Sequence, residues 1–347
     1  MRAIRELPVS VEPVVEHVVD RMAFRLRYGR SFERGGRRPL ILMTQRRRLD
    51  HYLVEQAAAA GAEFRDGVKV ADLVQEADGV RANVGGEPVE ASVLIGADGA
   101  NGVVGRALGL GAEPAYGVAF EGNVAYGAAD RDRYRGLALI ELGTVPGGYG
   151  WVFPKGDHVN VGVGGWEHVG PTLRERLREL CARHGIRDSA VERLRGHRLP
   201  LRRPGAALAS GRAVVVGDAA GLVDPISGDG MYEAFVSSRL AAEAALEVLG
   251  GRAASLEAYA RAVQERLGPM AAASWDAKIA FDRFPRLTFA LAGAPLVWGV
   301  VERILSGELS HPGAARGPAR APLRAIEALA RAVGAPGAGY RLEARAA

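Results

Sequence analysis

Two stretches of the sequence combine carboxylates and glycines at spacings that suit a hydroxyl-rich, anionic ligand. The first is Gly211-Arg-Ala-Val-Val-Val-Gly217-Asp218-Ala-Ala-Gly221, followed by Asp224-Pro225-Ile-Ser-Gly228-Asp229-Gly230. Its apolar run reads as a buried strand that delivers Asp218 at the carboxyl end, where open α/β sheets place their ligands. An ionised carboxylate there accepts hydrogen bonds from hydroxyls, as on a sugar or a ribityl chain. Gly228 and Gly230 let backbone N–H groups approach a ligand closely, and the helix that starts after them adds partial positive charge that favours an anion. The second stretch is Val93-Leu-Ile-Gly96-Ala97-Asp98-Gly99-Ala100-Asn101, another strand running into a glycine turn. Asp98 suits the same role, and equally suits a cap on a helix over residues 103–108.

A third signal is aromatic. In Pro146-Gly-Gly-Tyr149-Gly-Trp151-Val-Phe153-Pro154-Lys155, the two-residue period of a strand sends Tyr149, Trp151 and Phe153 to one face. Such a stripe either forms a flat wall beside a ligand or packs a sheet onto its core. Lys155 and Arg202-Arg203 are candidates for a phosphate or diphosphate head group. Cys181 reads as core packing.

The elements that must hold these residues follow from length and pattern. The 347 residues, 48% hydrophobic and 24% charged, suit a folded chain of two or three structural units. With one cysteine, a disulfide framework and a cysteine-based zinc site are excluded within the chain, no metal is expected, and a reducing compartment is implied. Of the 45 basic residues only Lys69, Lys155 and Lys278 are lysine. The basic residues alternate with acidic ones, and Arg46-Arg47-Arg48 is the only dense cluster, so no nucleic-acid partner is expected. The first residues hold no uninterrupted apolar core of the secretory kind, which predicts a cytoplasmic protein.

Helical spacing predicts a helix over 49–60, and turn signals divide strands over 68–73, 80–84 and 89–95, the last entering a buried sheet. Residues 116–165 are strand-rich and predict a second, antiparallel sheet; 172–184 is a charged amphipathic helix. The strand 213–216 and a helix over 230–249 resume the first layer. Residues 287–305 are apolar over a membrane's thickness but interrupted by Pro295 and glycines, which favours a buried or surface-lying helix pair over a span. A last helix is expected over 325–333.

The motifs around Asp98 and Asp218, in this order, resemble the flavoprotein hydroxylase and reductase superfamily. The run Pro146 to Pro154 fits the Pro-x-x-Tyr-x-Trp-x-Phe-Pro pattern of its geranylgeranyl reductase family. The resemblance implies FAD as cofactor. It assigns Gly217 and Asp218 to the ribityl hydroxyls. Pro225, Gly228, Asp229, Gly230 and Met231 fall in the turn facing flavin N1 and O2, and Asp98 and Gly99 near the pyrophosphate. Arg46 matches the arginine that opens the family's Arg-x-x-Phe-Asp stretch. Tyr149, Trp151, Phe153 and Pro154 become substrate-binding residues, with Tyr149 the candidate proton donor.

The implied fold is mixed α/β and α+β: a Rossmann-like FAD-binding layer, an inserted antiparallel-sheet substrate domain and C-terminal helices. The expected divisions are a partial FAD-binding domain over 1–115, the substrate domain over 116–200, the second FAD-binding part over 201–250 and a helical region over 251–347. The family's opening strand, Gly-x-Gly-x-x-Gly turn and helix are not matched, so the FAD layer is expected to be truncated at its N-terminus. The implied activity is reduction of C=C bonds in a geranylgeranyl or polyprenyl substrate, with NAD(P)H, a reduced protein or a quinol as electron donor and peripheral membrane contact through the apolar helices. The alternatives are an aromatic monooxygenase or halogenase on the same scaffold, and a non-catalytic flavoprotein fragment.

Overall fold

The computed structural model describes residues 1–111, 115–202 and 205–333. From the N-terminus, β1 (His17–Val19) and β4 (Ile41–Met43) pair around the hairpin β2 (Arg21–Leu26) and β3 (Ser31–Gly35). Helix α1 (Arg46–Ala59), the meander β5 (Val70–Gln75), β6 (Val80–Val84) and β7 (Glu87–Ala91), strand β8 (Leu94–Gly96) and the short α2 (Val104–Leu108) follow. Next come β9 (Ala115–Ala125), α3 (Arg131–Tyr134), β10 (Leu137–Leu142), β11 (Tyr149–Pro154), β12 (His158–Trp166), α4 (Leu173–Arg183) and β13 (Glu192–Leu201). The chain continues through β14 (Ala209–Ser210), β15 (Ala213–Val215) and α5 (Met231–Leu249). Helices α6 (Glu257–Arg283), α7 (Pro285–Ala292), α8 (Pro295–Leu305) and α9 (Arg320–Ala332) complete it.

The two motif-bearing strands are neighbours: β15 and β8 run parallel, Val215 beside Gly96, so both glycine turns leave the sheet from the same end. The core behind them is built from Val214 and Val215, fully buried, against Val236 and Ala241 of α5 and Tyr259 and Val263 of α6. The Tyr259 hydroxyl donates to the Val215 carbonyl at 2.8 Å, which ties α6 to the strand. One expectation differs. The predicted strand over 89–95 divides at Ser92, and β8 lies at the edge of its three-stranded sheet with Ile95 exposed rather than buried. Residues 89–91 pair within the meander instead, where Val89 faces Ala82.

The second sheet has seven strands in the order β13-β9-β12-β11-β10-β2-β3. It is antiparallel except where β2 lies parallel to β10. The hairpin β2–β3 thus extends the antiparallel sheet expected over 116–165. The reason is in its side chains: Met22 and Phe24 align with Ala138 and Ile140 and carry the same apolar face outward. One face of the sheet, with Val152, Val159, Val161 and Val163, buries Leu173, Leu177, Leu180 and Cys181 of α4. Burial pushes the Cys181 thiol up to about 11, so it is inert core. The opposite face carries Tyr149, Trp151 and Phe153.

No single helix among the described residues is long and apolar enough to cross a membrane; α7 and α8 form one apolar pair bent by 74°. Val297, Trp298, Val300 and Ile304 pack inward, while Leu287 and Leu296 stand exposed near the bend.

The first turn of α5 buries Glu233 beneath Arg2, 3.7 Å away. Desolvation, with the negative charges of Asp224 and Asp229, pushes its carboxyl from 4.5 up to about 8. The folded chain therefore holds a proton that the unfolded chain has released, and stability falls as pH rises between these values. Denaturant titrations across that window should show the decline in the wild type and a flatter profile in Glu233→Gln, with the larger gain at the alkaline end.

Candidate functional site

Asp98, Gly99, Tyr116, Pro200 and Asp218 line one cavity of about 90 Å³ beyond the ends of β8 and β15. The two carboxylates do different work in it. Asp98 accepts from the N–H groups of Val103 at 2.5 Å and Val104 at 2.9 Å, so it caps α2. The Asp218 carboxylate makes no hydrogen bond or ion pair among the described residues. Burial raises its pKa against the pull of Arg46, with Asp229 adding to the rise. Arg46 itself, at the start of α1, holds Asp50 at 2.8 Å and sits in the field of both Asp218 and Asp229. The structure thus brings together Arg46, Asp98, Gly99, Asp218 and Asp229 from four separate segments.

The turn between Asp224 and Met231 is tied mostly to itself. Asp224 Oδ1 accepts from the N–H groups of Ile226 (3.1 Å) and Ser227 (2.8 Å) and from the Ser227 hydroxyl (2.8 Å), and its Oδ2 accepts from Ser274 on α6. Pro225 is buried beneath it. The left-handed backbone at Gly228, φ +64°, turns its N–H onto the Asp224 carbonyl at 2.9 Å. Asp229 N–H donates to Ser227 Oγ and Met231 N–H to Asp229 Oδ1. Of the four N–H groups expected to face a ligand, only that of Gly230 has no partner among the described residues. A Cβ on Gly230 would lie 2.9 Å from Asp218 Oδ1, so the two halves of the motif meet in van der Waals contact. The neighbouring turn glycine, Gly217, is anchored by its N–H to Ser237 Oγ at 3.0 Å.

The aromatic stripe is a ladder: Tyr149 and Trp151 rings are 5.8 Å apart, Trp151 and Phe153 rings 6.1 Å. Trp151 lies flat over Gly162 of β12, where any Cβ would come within 2.1 Å of the indole, and its Nε1 donates to Asn160 Oδ1 at 2.7 Å. Phe153 continues into the cluster of Phe24, Ile140 and Trp298 under α8, and Pro154, buried, ends the strand. At the other end the Tyr149 hydroxyl donates to the Ser227 carbonyl. Burial beside Asp229 and Asp224 raises the pKa of this phenol, and its proton is engaged by that carbonyl. Tyr149 joins the wall to the turn. The ladder does not line the cavity between Asp98 and Asp218.

The expected phosphate ligands are also otherwise engaged. Lys155 is half-buried, donating to the Thr44 carbonyl at 2.8 Å, and desolvation lowers its pKa. Arg202 is buried against Gln264 at 2.8 Å; Arg203 lies outside the described residues.

Sequence reasoning missed the floor of the site. Lys278 of α6 is buried, donates to the Gly147 carbonyl and lies 4.0 Å above the Trp166 ring, which stacks on Trp275 and donates to Asp282 at 3.2 Å. The one trace in the sequence is that Lys278 is among only three lysines in an arginine-rich chain. It also missed Glu121 and His197, bonded at 3.2 Å across β9 and β13.

A parallel strand pair ending in glycine turns, a helix start beyond them and a mixed sheet laid against that start define a flavoprotein of the α/β class. The chain belongs to the FAD binding domain family, whose model matches residues 12–272. Its cofactor is FAD, and the residues present fit it: an unpartnered, largely buried carboxylate beside a glycine cradle offers acceptors to a polyol. The chain is 34% identical over 223 residues to a chloroplastic geranylgeranyl diphosphate reductase of Nicotiana tabacum, covering 60% of this chain and 48% of that protein. It is 32% identical over 254 residues to a digeranylgeranylglycerophospholipid reductase of Methanothrix thermoacetophila, covering 69% and 64%. The fold matches that of a geranylgeranyl bacteriochlorophyll reductase-like protein from Thermoplasma acidophilum, with TM-score 0.71, 22% identity and coverage of 92% and 81%. The chain spans about half the length of the first curated relatives it matches.

Gly162→Ala tests the ladder directly. The added methyl should displace the Trp151 indole, weakening its near-ultraviolet circular dichroism and lowering stability by about 1–3 kcal/mol; an unchanged spectrum and midpoint would show that the ring is free to move.

Proposed function

We propose that the chain reduces isolated carbon–carbon double bonds in a geranylgeranyl or longer polyprenyl substrate, carried as a diphosphate or on a lipid. The observation that carries this reading is the aromatic ladder, which starts at the turn holding Ser227 and runs through Trp151 into the apolar cluster beneath α8. A methyl-branched hydrocarbon lies well along such a surface, with its polar end left outside. The names of the curated relatives support the same substrate class, and make a hydroxylase or halogenase the weaker reading.

Reduced FAD, when bound, supplies a hydride to one carbon of the double bond. The chain's own residues bind and position. Asp218 accepts from the ribityl hydroxyls, and the N–H of Gly230 with the start of α5 stabilises negative charge on the reduced ring. Arg46 counters the charges of Asp218 and Asp229, and Asp98 with Gly99 shapes the far end of the cavity. Tyr149, Trp151, Phe153 and Pro154 exclude water from the reacting bond. The electron donor is NAD(P)H, a reduced protein or a quinol.

The substrate's tail calls for contact with a membrane surface. Residues 283–301 hold two arginines and no carboxylate. Exposed Arg283 and Arg286 flank exposed Leu287, with Leu296 across the bend, the composition of a helix pair resting on an anionic leaflet. Replacing both leucines by aspartate should cut co-sedimentation with anionic vesicles by at least about tenfold while leaving the fold intact; equal sedimentation would remove the membrane from the account.

The central experiment is anaerobic. FAD-loaded protein reduced with dithionite and given geranylgeranyl diphosphate or a geranylgeranyl lipid should yield products heavier by pairs of hydrogens. Asp218→Ala should weaken FAD binding by about tenfold or more, as loss of charged hydrogen bonds does. A product carrying oxygen, formed only in air, would sink the reading.

A further inference from the structure

The reduction proposed above needs a proton as well as a hydride, and the Tyr149 hydroxyl is engaged by the Ser227 carbonyl. On the face of the seven-stranded sheet that carries Trp151, the register sets Trp151 opposite Gly162, Gly162 opposite Glu121, and Glu121 opposite Arg195. Residues opposed across strands point to one side, and His197, two positions beyond Arg195, shares it. His197 Nε2 meets Glu121 Oε1 at 3.2 Å. Trp151 is joined to the same row, because the acceptor of its Nε1 is Asn160, the β12 residue next to Gly162 on this face. Two residues beyond His197, the Leu199 side chain comes within 3.5 Å of where a Cβ on Gly228 would stand. His197 is therefore one two-residue step of about 7 Å along β13 from the turn that faces the flavin ring.

We propose that the Glu121–His197 pair is the proton source of the site, with His197 delivering the proton and Glu121 holding the imidazole charged and oriented. This rests on the double-bond reduction proposed above. The π bond breaks as the hydride electron pair from the reduced flavin forms one C–H bond, and the imidazolium proton completes the second carbon. The flavin is oxidised, and His197 is left neutral. It then regains a proton from solvent, to which its half-exposed side chain is open. Its other nitrogen, Nδ1, has no protein partner among the described residues, so one ring nitrogen is held and the other is free to give.

The surrounding charges set the same balance. The hydrogen bond to Glu121 holds the His197 imidazole above its ordinary value, against burial and the repulsion of Arg195 and Arg46. Burial pushes the Glu121 carboxyl up, but hydrogen bonds from His197 and Asn160 and the charge of Lys155 bring it below its ordinary value. Asp218 faces His197 from β15's end and favours the imidazolium. The shifts of both partners thus favour their charged forms, and only the imidazolium carries a proton to give.

Two measurements test this. Titration of the His197 imidazole by NMR, in the chain without flavin, should give a midpoint above that of an unperturbed histidine, falling in Glu121→Gln. In anaerobic single turnovers with reduced flavin and saturating geranylgeranyl diphosphate, the wild-type rate should fall as pH rises through that midpoint. Glu121→Gln should move the fall to lower pH, and His197→Gln should lower the rate by about a hundredfold with FAD affinity unchanged. If His197→Gln keeps the wild-type rate and pH profile while double bonds are reduced, the pair is not the proton source and the proposed function stands. If the wild type reduces no double bond, the function fails and takes the proton role with it.

Discussion

The carbonyl of Ser227 is the joint on which the site turns. It accepts from Tyr149, the first rung of the aromatic ladder, and it belongs to a turn locked from below by Asp224 and Ser274. The seven-stranded sheet and the parallel strand pair have separate cores, one built on α4 and the other on α5 and α6. That joint is one of several ties between the layers: the Arg202 N–H donates to the Val223 carbonyl at 3.0 Å, the Val223 N–H to the Pro200 carbonyl at 3.2 Å, and Leu199, Leu201, Val223 and Trp275 share one apolar cluster. Hydrophobic burial stabilises the layers but is not directional. A hydrogen bond adds direction, because its donor and acceptor must align.

Helix α6 reinforces the joint from the far side. Ser274 holds the Asp224 carboxylate, Trp275 Nε1 reaches the Arg202 carbonyl at 2.7 Å, and Lys278 holds the Gly147 carbonyl just before the ladder begins. These residues occupy adjacent turns of one helix and grip three chain segments far apart in sequence. The first segment precedes the ladder, the second ends β13 and the third forms the turn before α5. A rigid helix with several short polar contacts fixes these segments relative to one another with little conformational entropy left to lose on ligand binding.

Much of this architecture was legible in the sequence, and what was missed shares one physical cause. The strand Ala213–Val215, the helix after Gly230, the meander and the aromatic stripe are local patterns, written in periods of two and 3.6, and each lies within a few residues of where those periods put it. Ile95 stands exposed because an apolar run specifies a strand but not whether it has neighbours on both sides. Phosphate-binding roles for Lys155 and Arg202 were inferred from charge alone, yet both basic groups are turned inward onto protein acceptors. The Glu121–His197 bond joins residues 76 positions apart and the Lys278–Gly147 bond residues 131 apart. No window of sequence contains either pair; only the register of the sheet and the packing of α6 bring them together.

The choice of lysine at 278 shows how such long-range constraints still leave a trace. The side chain runs between Trp166 and the Pro146–Tyr149 turn and ends in an ammonium that aims one of its three N–H donors at the Gly147 carbonyl and lies 4.0 Å above the indole. Arginine would bring five N–H donors in a planar fork, most of them without acceptors in this apolar setting, and each unpaired buried donor is costly. Asp282 and Asp224 partly offset the desolvation that lowers the lysine's pKa. A compact cation on a slender stem is the shape that satisfies all of these at once.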